Sequence, residues 1–300
     1  MAKRSSVFDS QRISLLLNDN AQPEEQGKEQ VFSSEWGGRI SLSENSDMGV
    51  VISVANHKGG VGKTTTTVNL GAALARLGMK VLLLDLDPQA NATTSLGLKK
   101  PEKSLYQVLM FNDDIRTVIH EGEDFDLIPS SIHVAGFEKN TEVGKEFILQ
   151  EAFEPIRNHY DFILIDCPPS LGALTISALT ASDYAVIPLQ SEFLALQGMT
   201  EFIKILRTVK TRMNQNLDLL GIVVTQFDHR KVLHRDIYEH AIQAYGDAMF
   251  ETMIRGNVAL AESQSLGQHI FEYDEACKGA TDYLELASEM LKRLNVQVPA

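Results

Sequence analysis

Short apolar runs alternate with longer amphipathic stretches along most of the chain. The apolar runs predict buried strands at residues 51–55, 80–84, 161–165, 184–189 and 217–225. Helical spacing of apolar residues follows them and predicts helices at residues 64–77, 145–156, 200–213 and 282–294, with another ending near Tyr245. This alternation predicts an α/β fold, a doubly wound and mostly parallel sheet with helices on both faces. A ligand site is then expected at the carboxyl ends of the strands.

Residues 1–48 have a different character from the rest of the chain. They are rich in Ser, Glu, Gln and Asn and show little helical or strand period. Such a segment buries too little apolar surface to offset the entropy of ordering. We therefore predict a disordered N-terminal extension at 1–48 and one large α/β domain at 49–300.

Composition and charge narrow the class of protein. The chain has 300 residues, 44% of them hydrophobic, and a formal net charge of −13, which suits a soluble protein and is a poor overall match to DNA. We find no apolar run long enough to span a membrane and no secretory signal, and the two cysteines favour reduced thiols. A cytoplasmic protein is expected. The last predicted helix is acidic in its first half, so we expect it to pack on the core and not to anchor a membrane.

A glycine-rich loop follows the first predicted strand and leads into a helix. The run Lys58-Gly59-Gly60-Val61-Gly62-Lys63-Thr64-Thr65 would direct backbone N–H groups and a helix N-terminus at a phosphate. Lys63 would contact the β- and γ-phosphates, and the Thr64 hydroxyl would ligate Mg²⁺. The common P-loop pattern requires glycine where His57 stands, so this loop is a variant with a second lysine at its start.

Aspartates follow two other predicted strands. Asp85 and Asp87 come after the second strand, and Asp166 ends the strand before Cys167-Pro168-Pro169. Carboxylates at this edge of a parallel sheet are well placed to organise Mg²⁺ and water beside a bound phosphate. A cysteine at the end of a buried strand is usually inert, and we expect Cys167 to be so.

Four motifs in order resemble the ParA/MinD superfamily of ATPases with a deviant Walker A loop, and its ParA/Soj branch in particular. They are KGGVGKTT at 58–65, DLDPQANAT at 85–93, ILIDCPP at 163–169 and EFLALQG at 192–198. The resemblance implies a dimer that encloses Mg-ATP, with slow hydrolysis stimulated by a ParB-like or cargo-adaptor partner. It implies catalytic roles for Lys58, Lys63 and Asp87, with Lys58 reaching the partner's nucleotide and Asp87 orienting water. It further implies Mg²⁺ organised by Thr64, Asp85 and Asp166, and nucleotide contacts by residues 58–65, Gln226 and Asn257.

Basic residues in three places are candidates for non-specific DNA binding. The residues are Lys204, Arg207 and Lys210 on one predicted helix, Arg230, Lys231 and Arg235 after the fifth strand, and Arg255. The family usually reads Pro-Arg-Asn before Val258, whereas this chain reads Arg255-Gly256-Asn257. This departure and the net charge of −13 weigh against non-specific DNA binding. They leave the nucleotide-binding motifs intact.

Several functions remain compatible with these motifs. The first is chromosome or plasmid partitioning by an ATP dimer on nucleoid DNA, and the second is positioning of a protein cargo. A MinD-like membrane regulator is disfavoured by the acidic last helix. An iron–sulfur reductase is disfavoured because only Cys167 and Cys277 could be cluster ligands, and they are not paired in a ligand motif.

Overall fold

A sheet of seven parallel strands lies at the centre of the molecule. The structure is a computed structural model and describes residues 48–298, without the side chains of 193–197. The strands are β1 (Val50–Val54), β2 (Val81–Asp85), β3 (Asp126–Ile128), β4 (Phe162–Asp166), β5 (Tyr184–Gln190), β6 (Asp218–Phe227) and β7 (Met249–Arg255). Their order in the sheet is β3-β2-β4-β1-β5-β6-β7. The predicted doubly wound α/β fold is therefore confirmed, and the predicted extension at residues 1–48 lies outside the described residues except for Met48.

Helices connect the strands and cover the sheet. They are α1 (Lys63–Arg76), α2 (Asn91–Ser95), α3 (Leu105–Phe111), α4 (Ile148–Phe153), α5 (Ala173–Ala181), α6 (Phe193–Arg212), α7 (Val232–Tyr245), α8 (Val258–Ser265), α9 (Ile270–Tyr273) and α10 (Lys278–Arg293). Segments of 3₁₀ helix lie at Ile115–Val118, Ile132–Lys139, Lys145–Phe147, Arg157–His159 and Gly246–Ala248.

The boundaries of three helices differ from the sequence prediction. The helix predicted at 145–156 is divided into a 3₁₀ turn and α4, which ends at Phe153. Helix α6 begins at Phe193, seven residues before the predicted start at Thr200, and α10 begins at Lys278 instead of Asp282. Helix ends depend on local capping contacts more than on apolar spacing, which explains why the interiors are predicted better than the ends.

The central strands are buried along their whole length because both faces of the sheet are covered. All five residues of β1, β2 and β4 are buried. Neighbouring residues of β1 enter different layers: Val51 packs in the core on one face and Ile52 in the core on the other. Parallel sheets need such two-sided burial, and the continuous apolar runs in the sequence reflect it.

The last helix packs against the core, as the sequence predicts. Tyr283, Leu286 and Met290 of α10 are buried in the layer that also holds α1 and the end of β7. The Glu289 carboxylate accepts hydrogen bonds from the backbone amides of Glu251 and Thr252, each at 2.9 Å, which covers part of the edge strand β7. Among the described residues, no helix combines the length and the apolar character needed to cross a membrane.

Candidate nucleotide-binding site

The glycine-rich loop connects β1 to α1 at the carboxyl edge of the sheet. Gly60 and Gly62 have positive φ angles of 77° and 88°, which side chains other than glycine adopt only with strain. Gly62 directly precedes the first residue of α1, Lys63. The loop therefore ends at a helix N-terminus whose first N–H groups have no acceptor within the helix, which is the predicted geometry for a phosphate site.

The order of the strands brings the predicted magnesium residues together. In the sheet register Asp85 of β2 is opposite Asp166 of β4, and Asp166 is also opposite Val54 at the end of β1. The Thr64 hydroxyl donates a 2.7 Å hydrogen bond to Oδ2 of Asp166. Three segments far apart in the sequence thus meet beside the loop.

Asp166 has the character expected of a metal-organising carboxylate. Its side chain is buried, and Oδ1 has no hydrogen-bond partner among the described residues. Burial, followed by the nearby charge of Asp85, raises the pKa of Asp166 well above its usual range. A hydrated Mg²⁺ would donate to the unpartnered oxygen and offset this cost, so the residues present fit the ion.

Asp85 and Asp87 are held by the turn that follows β2. The Thr93 hydroxyl and amide donate to Oδ2 of Asp85 at 2.7 and 2.8 Å, and the amide of Asp87 donates to Oδ1 at 3.1 Å. Burial raises the pKa of Asp85 to about 6 despite these hydrogen bonds. Oδ1 of Asp87 accepts from the amide of Gln89 at 2.9 Å. Thr93 lies within the DLDPQANAT motif, but the motif by itself gave its side chain no role.

The buried carboxyls predict how the stability of the nucleotide-free protein depends on pH. Because the pKa values of Asp85 and Asp166 are raised in the folded state, that state binds more protons than the unfolded chain from about pH 4 up to these raised values. The contribution of these two carboxyls to the free energy of unfolding should then fall as pH rises from about 4, through about 6 for Asp85, until the raised pKa of Asp166 is passed. Asp166→Asn removes one of the two titrating carboxyls and keeps an acceptor for Thr64. We expect this variant to be more stable than the wild type at pH 7, with a flatter pH profile of the free energy of unfolding in urea. Parallel profiles for the two proteins would contradict this prediction.

The two lysines of the loop have different environments. Lys63 is 7% exposed, and its ammonium donates to the carbonyl of Lys58 at 2.9 Å. Burial lowers the pKa of Lys63, and the attraction of Asp166 opposes this shift. The ammonium of Lys58 instead lies 2.6 Å from Oε2 of Glu192, and the two side chains are 29% and 53% exposed. The ammonium of Lys63 therefore lies inside the loop, whereas that of Lys58 is directed outward. Glu192, the partner of Lys58, had no role predicted from the sequence.

A cavity of about 870 Å³ opens beside the loop. It is lined by the loop residues Gly62 and Thr65, by the end of β6 and by the segment before α8. Gln226 and Asn257, the predicted nucleotide contacts, both line it. Oδ1 of Asn257 accepts a 3.0 Å hydrogen bond from the amide of Ala259 and caps α8. The cavity has the position and size for the base and sugar of a nucleotide whose phosphates lie at the loop.

The predicted DNA-binding residues differ in their exposure and in their local contacts. Lys204 and Lys231 are exposed, and Lys210 lies 3.5 Å from the carboxylate of Asp218. The four arginines all have local contacts. Arg230 donates to both carboxylate oxygens of Asp228, and Arg235 donates to the carbonyl of His229. Arg255 donates to the buried carboxylate of Asp282, and Arg207 is half-buried. The DNA-binding role of all seven stays a prediction, and for Arg255 it would require the guanidinium to leave Asp282.

Cys167 is surrounded by the core and suits the inert role predicted for it. Its side chain is 1% exposed, and burial raises the pKa of the thiol to about 12. The reactive thiolate is therefore scarce near neutral pH.

The strand β1, the glycine-rich loop, the N-terminus of α1 and the carboxylates of Asp85 and Asp166 meet at one edge of the sheet. This arrangement defines a P-loop nucleotide-binding protein. The sequence model of the AAA domain family matches residues 49–219. The sporulation initiation inhibitor protein Soj of Bacillus subtilis (strain 168) is 43% identical over 249 residues, which are 81% of this chain and 98% of that protein. The chromosome partitioning protein ParA of Caulobacter vibrioides (strain NA1000 / CB15N) is 40% identical over 253 residues, 81% of this chain and 94% of that protein. The chain belongs to the ParA/MinD superfamily of P-loop ATPases, on the ParA/Soj branch.

Solved structures agree with this assignment. The crystal structure of cobyrinic acid a,c-diamide synthase from Mycobacterium smegmatis with bound ADP and magnesium has a TM-score of 0.73 and 34% identity, covering 82% of this chain and 95% of that one. The septum site-determining protein MinD from Pyrococcus horikoshii OT3, complexed with Mg-ADP, has a TM-score of 0.68 and 28% identity, covering 81% and 96% of the two chains.

Proposed function

We propose that this protein is a Mg-ATP-dependent dimerising switch for DNA partitioning. The observation that carries the proposal is the different placement of the two loop lysines. Lys63 is buried in its own loop, while the ammonium of Lys58 is held at the surface by Glu192. A cation directed out of its own site is available to the nucleotide of a second subunit, which links dimerisation to ATP binding.

The residues of the site have distinct proposed roles. The loop amides and Lys63 bind the phosphates, and Thr64 and Asp166 hold the magnesium ion, with Asp85 supporting them. When bound, Mg²⁺ neutralises charge on the transferring phosphoryl group. Asp87, which is 6% exposed and fixed by the Gln89 amide, orients the attacking water. Solved relatives with Mg-ADP support this assignment of cofactors.

Dimer formation has to replace the contact between Lys58 and Glu192 by a contact with the partner's phosphates. Both groups are partly exposed, so the intramolecular ion pair is weak and its loss costs about 1 kcal/mol or less. We infer that hydrolysis is slow and that a ParB-like or cargo-adaptor protein stimulates it. The protein then acts as a timer whose dimer persists between binding and hydrolysis of ATP.

DNA binding by the ATP dimer tests the partitioning role. We expect binding to need Mg-ATP, to be absent with ADP or without nucleotide, and to weaken steeply with salt, because phosphate contacts release counterions. The exposed Lys204 and Lys231 carry the first contacts, so a Lys204→Ala/Lys231→Ala variant should bind about tenfold more weakly at 0.1 M salt and show a smaller salt slope. Filter binding or interferometry across a salt series measures both quantities.

A charge-matched control separates local contacts from net charge. Lys103 is exposed, and Lys103→Ala in combination with Lys99→Ala removes two positive charges outside the predicted DNA surface. This control should bind as the wild type does. A wild-type protein that dimerises with ATP and binds no DNA would contradict association with the nucleoid and favour the second candidate, positioning of a protein cargo. The net charge of −13 and the paired arginines are the observations that keep this candidate open.

A further inference from the structure

The end of strand β6 contacts the phosphate loop through two side chains. The hydroxyl of Thr225 donates a 2.8 Å hydrogen bond to the carbonyl of Val61, and Nε2 of Gln226 donates a 2.9 Å hydrogen bond to the carbonyl of Gly60. Thr225 is 2% exposed, so its hydroxyl lies in a fixed, dry contact. Two consecutive loop carbonyls are therefore held by residues more than 160 positions away in the sequence.

These contacts set the direction of two loop amides. Every described peptide bond is trans, and in a trans peptide the N–H points away from the C=O of the same plane. Holding the carbonyls of Gly60 and Val61 toward β6 therefore turns the N–H groups of Val61 and Gly62 to the opposite side. Without these contacts the glycines on either side of Val61 would let both peptide planes rotate.

Gln226 is itself held in the conformation that this contact needs. Its φ angle is +54°, in the left-handed region that residues other than glycine seldom adopt. Its Oε1 accepts a 3.0 Å hydrogen bond from Nε2 of Gln190. Because the amide oxygen is used in this way, the NH₂ group faces the carbonyl of Gly60. Gln190 ends β5, two residues before Glu192, so the arrangement also joins the loop to the segment that pairs with Lys58.

We propose that Thr225 and Gln226 are positioning residues that preorganise the phosphate-binding amides of the loop. The proposal rests on the nucleotide-binding function proposed above and assigns Gln226 a contact with the loop in addition to the predicted contact with the nucleotide, which stays a prediction. Preorganised donors bind the phosphate without first paying the entropy of ordering the loop. Loss of either side-chain donor should lower nucleotide affinity and leave the fold intact.

The first test measures Mg-ADP affinity by titration calorimetry for variants of Thr225. Thr225→Val keeps the shape of the side chain and removes the donor, and we expect its Kd to rise roughly tenfold. Thr225→Ser keeps a hydroxyl and should restore the affinity to within about twofold of wild type. Thr180→Val is the matched control, because Thr180 is also buried and donates to a carbonyl, that of Ile176 in α5. It should lose stability in the nucleotide-free state as Thr225→Val does and keep the wild-type Kd.

The second test uses Gln226, which is exposed and so carries little risk to folding. Gln226→Met keeps the length of the side chain and removes the donor, and should raise the Kd for Mg-ADP about threefold. Gln243→Met, on an exposed position of α7, is its control and should not change the Kd. Thermal unfolding without nucleotide separates loss of folding from loss of affinity in every variant.

The outcomes distinguish this proposal from the one it rests on. A wild-type protein that does not bind Mg-ADP overturns the proposed function and this role with it. A wild-type protein that binds Mg-ADP, with unchanged affinity in both Thr225→Val and Gln226→Met, overturns the positioning role alone. Equal affinity of Thr225→Ser and Thr225→Val, both weaker than wild type, also overturns it, because the hydroxyl would then not be the responsible group.

Discussion

Replacing Lys58 with alanine is expected to abolish dimer formation in Mg-ATP while changing the affinity of the monomer for Mg-ADP by about threefold or less. Lys58 contributes backbone groups to its own loop: its carbonyl accepts from the ammonium of Lys63, and its amide donates to Oδ1 of Asn56. Alanine keeps both groups. The lost ammonium is the group proposed to meet the partner's phosphates. Truncating one member of a buried charge pair across an interface costs several kcal/mol, so the dimer should weaken by about 100-fold or more. Analytical ultracentrifugation with a non-hydrolysable ATP analogue measures the dimer directly.

The control for this experiment is a lysine with the same charge and no role in the site. Lys103 is exposed on the segment before α3, and Lys103→Ala should dimerise as the wild type does. If the Lys58→Ala protein forms dimers of wild-type affinity, the cross-subunit role of Lys58 is wrong. If it fails to bind Mg-ADP, Lys58 acts within its own subunit instead.

Replacing Asp87 should produce the second large effect, on hydrolysis and not on binding. Asp87 lies beside the loop with Oδ1 fixed by the amide of Gln89, and it is the carboxylate proposed to orient water. Asp87→Asn keeps an acceptor for that amide but removes the charge that attracts the water proton. We expect ATP turnover to fall by roughly 100- to 1,000-fold, the usual contribution of a general base or water-orienting group. The ATP dimer should accumulate, because its decay depends on hydrolysis.

Single-turnover hydrolysis and the fraction of dimer are the two measurements for Asp87. Asp113→Asn, at an exposed position before the 3₁₀ turn at Ile115–Val118, is the control and should hydrolyse ATP at the wild-type rate. Turnover in Asp87→Asn within about twofold of wild type would remove Asp87 from the mechanism. A loss of the dimer together with the loss of turnover would place Asp87 in nucleotide binding.

Local sequence patterns determined five of the seven strands, the phosphate loop and the identity of the chemical groups. A parallel strand that is buried on both faces is mostly apolar, so β1, β2, β4, β5 and β6 can be recognised in the sequence as apolar runs. The loop can be recognised because its glycines and lysines are close together in the sequence. Asp85 and Asp166 can be recognised because each ends an apolar strand. The family followed from the same motifs, since four of them occur in the expected order.

Strand β7 shows where the local pattern was insufficient. Its burial is uneven, because it lies at the edge of the sheet and is covered partly by α10. An apolar run is therefore not required, and the sequence Met249–Arg255 did not predict a strand. The partial cover is supplied by Glu289, a residue whose relation to β7 exists only in the folded chain.

Long-range pairing decided the rest of the site. The sequence named Lys58 and Arg255 but not their carboxylate partners Glu192 and Asp282, since no local pattern connects them. It likewise placed Gln226 near the nucleotide without showing that its amide meets the carbonyl of Gly60. The residue types and their order along the chain thus determined which chemistry this protein can perform. The tertiary structure alone decided which charges are paired and which amides face the phosphate site, because those contacts join strands far apart in sequence.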